Sequence, residues 1–476
     1  MNESTQEFLK ELTLILGRRY VITDEIDQAS YLTDWRKKYT GLALAVVLPK
    51  STQQVSDIVK ICQKYQISMV PQGGNTSMVG GAVPNQSGQQ ILISLKLMNR
   101  IIELDQANQT MTVEGGCILQ VAQEMAQSKG FLFPLSLGSE GSCTLGGNLA
   151  TNAGGTNVLR YGNAREQCLG LEVVNAQGQV INSLRSLRKD NTGYDLRHLF
   201  IGSEGTLGII TQAIFKLFPL PKTQWTALVS LDSIPKAIEL LRICQQMGSG
   251  LLSGFEMMTR ESLSLIELHF KQFKNPMAGD PNLIVLIELS DQESEAHARQ
   301  IFENILEHAL ESNTITDAIV AENLTQVNHF WQMRDHITLA QAMEGGNIKH
   351  DITLPLSSMT HFITQTDAML KKEFPGLRVI NFGHLGDGNL HYNMSPPIGA
   401  DFSEFVNNYE SRISEIVYAQ VDKYKGSISA EHGIGQSKAG VLKAHRGEQA
   451  YETMLSIKKA LDPHNLMNPD RVVLVG

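Results

Sequence analysis

Cysteine is sparse in this chain, and its placement excludes more than it offers. The five cysteines, Cys62, Cys117, Cys143, Cys168 and Cys244, form no Cys-X-X-Cys pair. An odd, unpatterned set fits reduced thiols in a cytoplasmic protein better than a disulfide framework. Cys143 lies in a Gly-rich stretch, where it either touches a ligand or fills a small buried space. Basic runs are also missing. With a net charge of −9 and no Lys/Arg stripe, the chain reads as having no nucleic-acid partner. No stretch reaches the ~18–20 uninterrupted apolar residues of a spanning helix, although peripheral contact at an inner membrane face stays compatible. The opening Met1-Asn2-Glu3-Ser4-Thr5-Gln6-Glu7 lacks the basic and apolar regions of a secretory signal.

What is present is ample material for large cores. The 476 residues are 42% hydrophobic and 19% charged, which predicts two domains or three. A helix is expected over Glu7–Leu16. Ala45–Leu48 reads as a strand, and Ser51 as the N-cap of an amphipathic helix over Val55–Tyr65. Ile67–Pro71, Gln90–Leu95 and Thr110–Glu114 read as further strands. Beyond Phe218-Pro219-Leu220-Pro221 the texture becomes Gly-poor. Strands at Trp225–Leu231 and Ile284–Leu289 alternate with helices at Pro235–Met247 and Glu293–His308, so the Pro pair marks a boundary. A last helix is expected over Glu448–Leu461, before an Asp-Pro turn.

Glycine is concentrated in three places in the first half. Gln72-Gly73-Gly74-Asn75-Thr76-Ser77-Met78-Val79-Gly80-Gly81 follows a strand, so its successive N–H groups suit a phosphate. It is neither a Walker A loop nor the spaced Gly-X-Gly-X-X-Gly of a dinucleotide fold, and alone it reads equally as a tight turn. The second run extends from Gly138 through Ser142, Gly146, Gly147, Asn148 and Asn152 to Gly155. The third, Ile201–Ile210, includes Gly205, Gly208 and Ile209. Glycine costs roughly 0.5–1 kcal/mol in regular structure relative to alanine, so this density implies backbone crowding. A large phosphate-bearing cofactor lying along several loops accounts for all three.

Two later stretches carry the chemistry: Gly383-His384-Leu385-Gly386-Asp387-Gly388-Asn389-Leu390-His391 and Ser429-Ala430-Glu431-His432-Gly433-Ile434-Gly435. Two imidazoles and a carboxylate suffice for a divalent ion with open positions. That leaves His432 over as a candidate base. Asp387 reads either as orienting a ligand imidazole or as a turn former, and Glu431-His432 has an alternative reading as a helix cap. Arg334 alone reads also as an exposed helix charge; paired with Lys349 it gives two cations suited to a dicarboxylate, for which Arg supplies bidentate geometry.

These motifs, in this order, are similar to a known family. Pro71–Gly81, Gly138–Gly155 and Asn191–Leu196 with Gly202–Gly208 resemble the PCMH-type FAD domain of vanillyl-alcohol-oxidase-like flavoproteins. The two His stretches resemble the FAD-linked D-2-hydroxyacid dehydrogenases, D-2-hydroxyglutarate dehydrogenases above all. The resemblance covers about residues 40–475. It implies an α+β protein with a two-subdomain FAD-binding domain, a substrate (cap) domain built on an antiparallel sheet, and a C-terminal helical segment returning to the FAD domain. The corresponding segments are 37–218, 219–425 and 426–476, after an N-terminal helical segment at 1–36.

By the same resemblance, Gly73, Gly74, Asn75, Thr76, Ser77, Gly80, Gly81, Gly138, Ser142, Gly146, Gly147, Asn148, Asn152, Gly205, Gly208 and Ile209 bind FAD. His384, His391 and Glu431 are metal ligands, with zinc the usual ion. Arg334, Thr338 and Lys349 hold the substrate carboxylates. Asn393 and His432 contact the hydroxyacid end, with His432 accepting the proton. Asn75 stands where some members carry a histidine that bonds FAD covalently, so non-covalent FAD is expected. Ser136 and Ser139-Glu140 depart from the family's pattern around the second loop.

Oxidation of a 2-hydroxyacid needs a metal to acidify the hydroxyl, a base and a hydride acceptor. D-2-Hydroxyglutarate or D-malate fits the two cations better than D-lactate or glycolate. No NAD fingerprint is present, so electron-transfer flavoprotein or a quinone is the expected acceptor, and a homodimer is compatible. Two other classes compete. A metal-dependent hydrolase would leave the Gly loops unexplained and lacks His-Glu-X-X-His, and a non-catalytic flavoprotein subunit would not need the intact His set.

Overall fold

The computed structural model describes residues 3–248 and 250–475. Two compact units divide the chain. Unit one comprises Met1–Gly154, Gly162–Pro219 and Glu431–Gly476, and unit two comprises Gly155–Tyr161 and Leu220–Ala430. The short excursion at 155–161 has no counterpart in the sequence reading.

Among the described residues unit one contains two larger sheets, each with its own core, and a two-stranded pairing of Phe131–Leu132 with Phe218–Pro219. A four-stranded sheet runs in the order Val21–Ile22, Ala45–Val47, Ile91–Ser94, Met69–Gln72, and its last three strands are parallel. Parallel strands need a crossover, and Thr52–Tyr65 supplies it. The Ser51 side chain accepts the Gln54 N–H, and the helix stops at Gln66 in a left-handed conformation. Its Val55, Ile58, Val59 and Cys62 pack with Phe8 and Leu12 of the helix Glu3–Leu16.

The second sheet has five antiparallel strands in the order Ile101–Asp105, Thr110–Glu114, Gly208–Lys216, Cys168–Asn175, Val180–Ser183. The C-terminal segment returns to the first sheet. Met69 N–H donates to Leu466, and Asn468 N–H donates back to Met69, at 2.7 and 2.8 Å. Lys458 and Asp462, both buried, bond at 2.6 Å, and Lys458 also donates to the carbonyls of Thr206 and Met467.

Unit two is built on seven strands: β1 (Thr223–Leu231), β2 (Leu252–Thr259), β3 (Leu283–Asp291), β4 (Asp317–Val320), β5 (Asp351–Thr353), β6 (Arg378–Gly383) and β7 (Asn389–Ser395). Their order is β4-β1-β3-β2-β6-β7-β5, antiparallel throughout. Alternation along a strand separates the two faces. Val285, Ile287, Leu289, Phe255, Met257, Leu390, Tyr392 and Met394 enter one core beneath four helices. The opposite face carries Ile284, Leu286, Met258 and Phe382 under the helix α1 (Leu324–Met343). The same alternation gives this second face Glu288, Glu256, His391, Asn393 and Asp351, so one side of one sheet is apolar in part and polar in part.

Candidate active site

The polar part of that face is organised around Glu256. A lone carboxylate in the run Leu252-Ser253-Gly254-Phe255-Glu256-Met257-Met258, it is only 1% exposed. Burying a charge is costly unless it is paired, and both oxygens are used. Oε1 lies 2.6 Å from His384 Nδ1, and Oε2 accepts from Arg334 Nε at 2.8 Å. Burial alone would raise this carboxyl, but its His384 and Arg334 partners outweigh it and hold it at about 2. An ionised carboxylate only accepts, so His384 carries its proton on Nδ1. Arg334 Nη2 lies 3.2 Å from Nε2 and 3.5 Å from Nδ1, close to both ring nitrogens. The Arg334 guanidinium lies over the Phe382 ring, 5.6 Å from its centroid.

His391 joins from the neighbouring strand. Its ring centroid is 5.5 Å from that of His384, and one ligand nitrogen of each lies within 4.8 Å of the other. Asp351, opposite His391 in the β5–β7 register, has Oδ1 3.8 Å from His391 Nδ1. Asp351 also accepts from Asn389 Nδ2 at 2.9 Å and, through Oδ2, from the Ala430 N–H at 3.1 Å. Two imidazoles this close, one of them backed by a carboxylate, have the donor chemistry of a transition-metal site. Asp387 accepts from the Asn389 N–H at 3.1 Å, so it closes the turn between the two histidines.

α1 lays a polar ladder across this face at helical spacing. Trp331 donates to Glu288 at 2.9 Å, Arg334 reaches Glu256, and Gln341 accepts from Asn393 at 3.1 Å. Thr338, half-buried, stands one turn after Arg334, as the i, i+4 relation requires. Asn393 accepts from the His350 N–H at 3.2 Å and spends one of its two N–H donors on Gln341. Half-buried Lys349 precedes β5. His350 is a packing histidine, bonded to the Tyr392 carbonyl and to Ser414.

The Gly-rich loops meet in unit one. A Cβ on Gly74 would fall on the Ser142 carbonyl, and one on Gly73 on Thr144, which brings the first loop against the second. A Cβ on Gly205 would lie 2.7 Å from Pro71, and one on Gly81 3.5 Å from Glu204, which adds the third. Gly146 and Gly147 lie with Asn148 on the short helix Leu145–Ala150, and Asn152 follows it, accepting from the Arg165 N–H. Asn75 donates to the Thr33 carbonyl at 2.8 Å, and Ser77 lies in the same turn, accepting weakly from Val79. Thr76 and Gly80 complete that loop, while Gly138 has open space around it.

Part of the glycine crowding is therefore chain against chain. A Cβ on Gly146 would meet Gly115 and one on Gly208 Val173, both at 2.7 Å. The Ile209 side chain is in the core of the four-stranded sheet. Cys143 is 2% exposed and fills the buried small space. The unusual Ser136 and Glu140 bond each other at 2.7 Å, with Glu140 also accepting from the Leu137 N–H.

Glu431 and His432 begin the last segment of unit one, and no helix starts there; the next is Ala439–Arg446. Instead the turn after them is clamped by Glu204, whose two oxygens accept the N–H groups of Ile434 and Gly435 at 2.7 Å each. Gly433 has a φ of +81°, and a Cβ there would press on the Glu204 carboxylate.

Sequence reasoning passed over Glu256, Asp351, Gln341 and Glu204. A single acid within an otherwise apolar strand was the available signal for Glu256.

Residues 220–472 match the family described as FAD linked oxidases, C-terminal domain, and residues 43–183 match the FAD binding domain. A mitochondrial D-2-hydroxyglutarate dehydrogenase of Arabidopsis thaliana is 37% identical over 459 residues, covering 96% of this chain and 80% of the relative. A D-2-hydroxyglutarate dehydrogenase of Xanthomonas citri pv. viticola is 34% identical over 452 residues, covering 94% and 93%. A putative mitochondrial D-lactate dehydrogenase of Schizosaccharomyces pombe is 36% identical over 464 residues, covering 95% and 86%. Among solved structures, p-cresol methylhydroxylase with substrate bound superposes with a TM-score of 0.80 at 16% identity, covering 100% of this chain and 98% of the other. That likeness establishes the PCMH-type fold. Among the described residues no helix is long and apolar enough to cross a membrane. With both domains matched and relatives of this identity spanning nearly its whole length, the chain belongs to the FAD-linked D-2-hydroxyacid dehydrogenases, the family of D-2-hydroxyglutarate dehydrogenase.

Proposed function

We propose that this enzyme oxidises D-2-hydroxyglutarate to 2-oxoglutarate, with a divalent metal held by His384, His391 and Glu431 and with His432 as the base. The reading is carried by the meeting of Arg334, His384 and His391 over one polar patch of the unit-two sheet. The names of the relatives point to the same substrate.

Glu431 enters the ligand set on donor chemistry and chain connectivity. The residue before it, Ala430, is bonded to Asp351, which faces His391 across the β5–β7 ladder. When bound, FAD supplies the acceptor for the Cα hydride and the metal the acidity that frees the hydroxyl proton. Arg334 and Thr338, one turn apart on α1, grip a substrate carboxylate with Lys349 as the second cation. Asn393, held by Gln341 and His350, orients the hydroxyacid end. His432 takes the hydroxyl proton, as an imidazole suits near neutral pH. Non-covalent FAD follows from Asn75. Electrons leave to electron-transfer flavoprotein or a quinone. D-Lactate is the second reading, on the name of the Schizosaccharomyces pombe relative, and D-malate fits the same two cations.

Anaerobic bleaching of the flavin by a panel of D-2-hydroxyacids is the test. D-2-Hydroxyglutarate should bleach fastest, demetallated enzyme should bleach poorly, and His432→Ala should keep its flavin yet fail to bleach. Full bleaching by metal-free enzyme would refute the metal, and faster bleaching by D-lactate would refute the substrate.

A further inference from the structure

We infer that Glu256 is a positioning residue that holds two working members of the site at once, His384 through one carboxylate oxygen and Arg334 through the other. The inference rests on the proposed role of His384 as a metal ligand.

Three observations converge on it. Glu256 is almost completely enclosed, at 1% exposure, on a strand that otherwise feeds two hydrophobic cores. An uncompensated acid there would be strongly destabilising, so its presence calls for partners that make use of the charge. Those partners take one oxygen each, at 2.6 and 2.8 Å, and both are residues to which the reaction gives a task. Third, their order in space is directional. The carboxylate takes the Nδ1 side of His384, so the Nε2 lone pair points to the other side of the ring.

The consequences differ for the two partners. An imidazole ligand whose second nitrogen donates to a carboxylate is fixed in tautomer and ring angle and is made more basic. For Arg334, the tie at Nε and the Phe382 ring beside it restrict where the guanidinium can lie. Bidentate recognition of a carboxylate depends on such placement. The negative charge also offsets a guanidinium lying 3.2 Å from the nitrogen that would face a cation. One residue therefore couples metal retention to substrate recognition.

Glu256→Gln is the informative change. The amide keeps the shape but has one acceptor oxygen, and its NH2 would meet a second donor, so it serves His384 or Arg334 and not both. Purified, FAD-loaded enzyme is titrated with chelator and the metal remaining per flavin is measured; KM and kcat are then determined for D-2-hydroxyglutarate and D-lactate. Metal should be held about 10- to 100-fold more weakly, with flavin content unchanged. The KM for D-2-hydroxyglutarate should rise more than that for D-lactate. Glu256→Asp keeps the charge and should recover part of both effects; it also provides the comparison if the amide variant does not fold. Wild-type enzyme that retains no metal overturns the metal reading and this inference together. Metal-bearing wild type matched by Glu256→Gln in chelator titration overturns this inference alone.

Discussion

Arg334 and Lys349 carry equal formal charge but stand in unlike surroundings. Arg334 is 8% exposed and shares its charge with Glu256, whereas Lys349 is half-buried just before β5. A charge-assisted bond contributes about 1.5–3 kcal/mol, or roughly 10- to 100-fold in a rate ratio. Lys349→Ala should therefore lower kcat/KM for D-2-hydroxyglutarate by about that factor while leaving D-lactate much less affected. Arg334→Ala should lower both, D-2-hydroxyglutarate the more, because it removes a carboxylate contact and also leaves Glu256 buried with one partner fewer. Equal losses for the two substrates in Lys349→Ala would count against the dicarboxylate reading. The two residues were legible as a pair of cations; Glu256, which divides their roles, is far from both in sequence.

At the scale of elements, the loops and α1 differ in how openly their sequences declare them. The Gly loops are conspicuous, and their close approach explains part of the composition: a Cβ on Gly74 has no room beside Ser142. Gly74→Ala should cost about 1–3 kcal/mol by overpacking and loosen flavin retention, both measurable by thermal melting and by flavin content after gel filtration. Wild-type values for both would show that the loops have slack. α1 is the opposite case. Its buried face mixes Phe330, Met333, Ile337 and Ala340 with Arg334 and Gln341. No clean apolar stripe marks it as a helix, because the face it covers is itself half polar. The clamp of Glu204 on Ile434 and Gly435 was equally silent, joining residues more than two hundred positions apart.

For the molecule as a whole, buried carboxyls set opposite pH dependences within unit two. Glu288 is raised above its ordinary 4.5, since burial outweighs the bonds from Trp331, Ser253 and Thr226. Its contribution to stability is complete below about 4.5 and declines as pH rises through the folded value. Glu256, lowered to about 2, contributes fully above its ordinary 4.5 and is lost only as pH falls towards 2. Glu288→Gln, a neutral isostere, should flatten the loss of melting temperature between pH 4 and pH 8; an unchanged slope would mean that Glu288 does not titrate with unfolding. By itself the sequence determined the local and the compositional. Ser51 caps its helix, Thr110–Glu114 and Glu448–Leu461 form where their patterns say, and the order of the Gly and His motifs identifies the family. These rest on contacts within a few residues or on signatures that survive as strings. Only the tertiary structure decided which side of the unit-two sheet would be polar. It alone set Glu256 between His384 and Arg334, 128 and 78 positions away, because the register of antiparallel strands is fixed by packing on both faces rather than by any one strand.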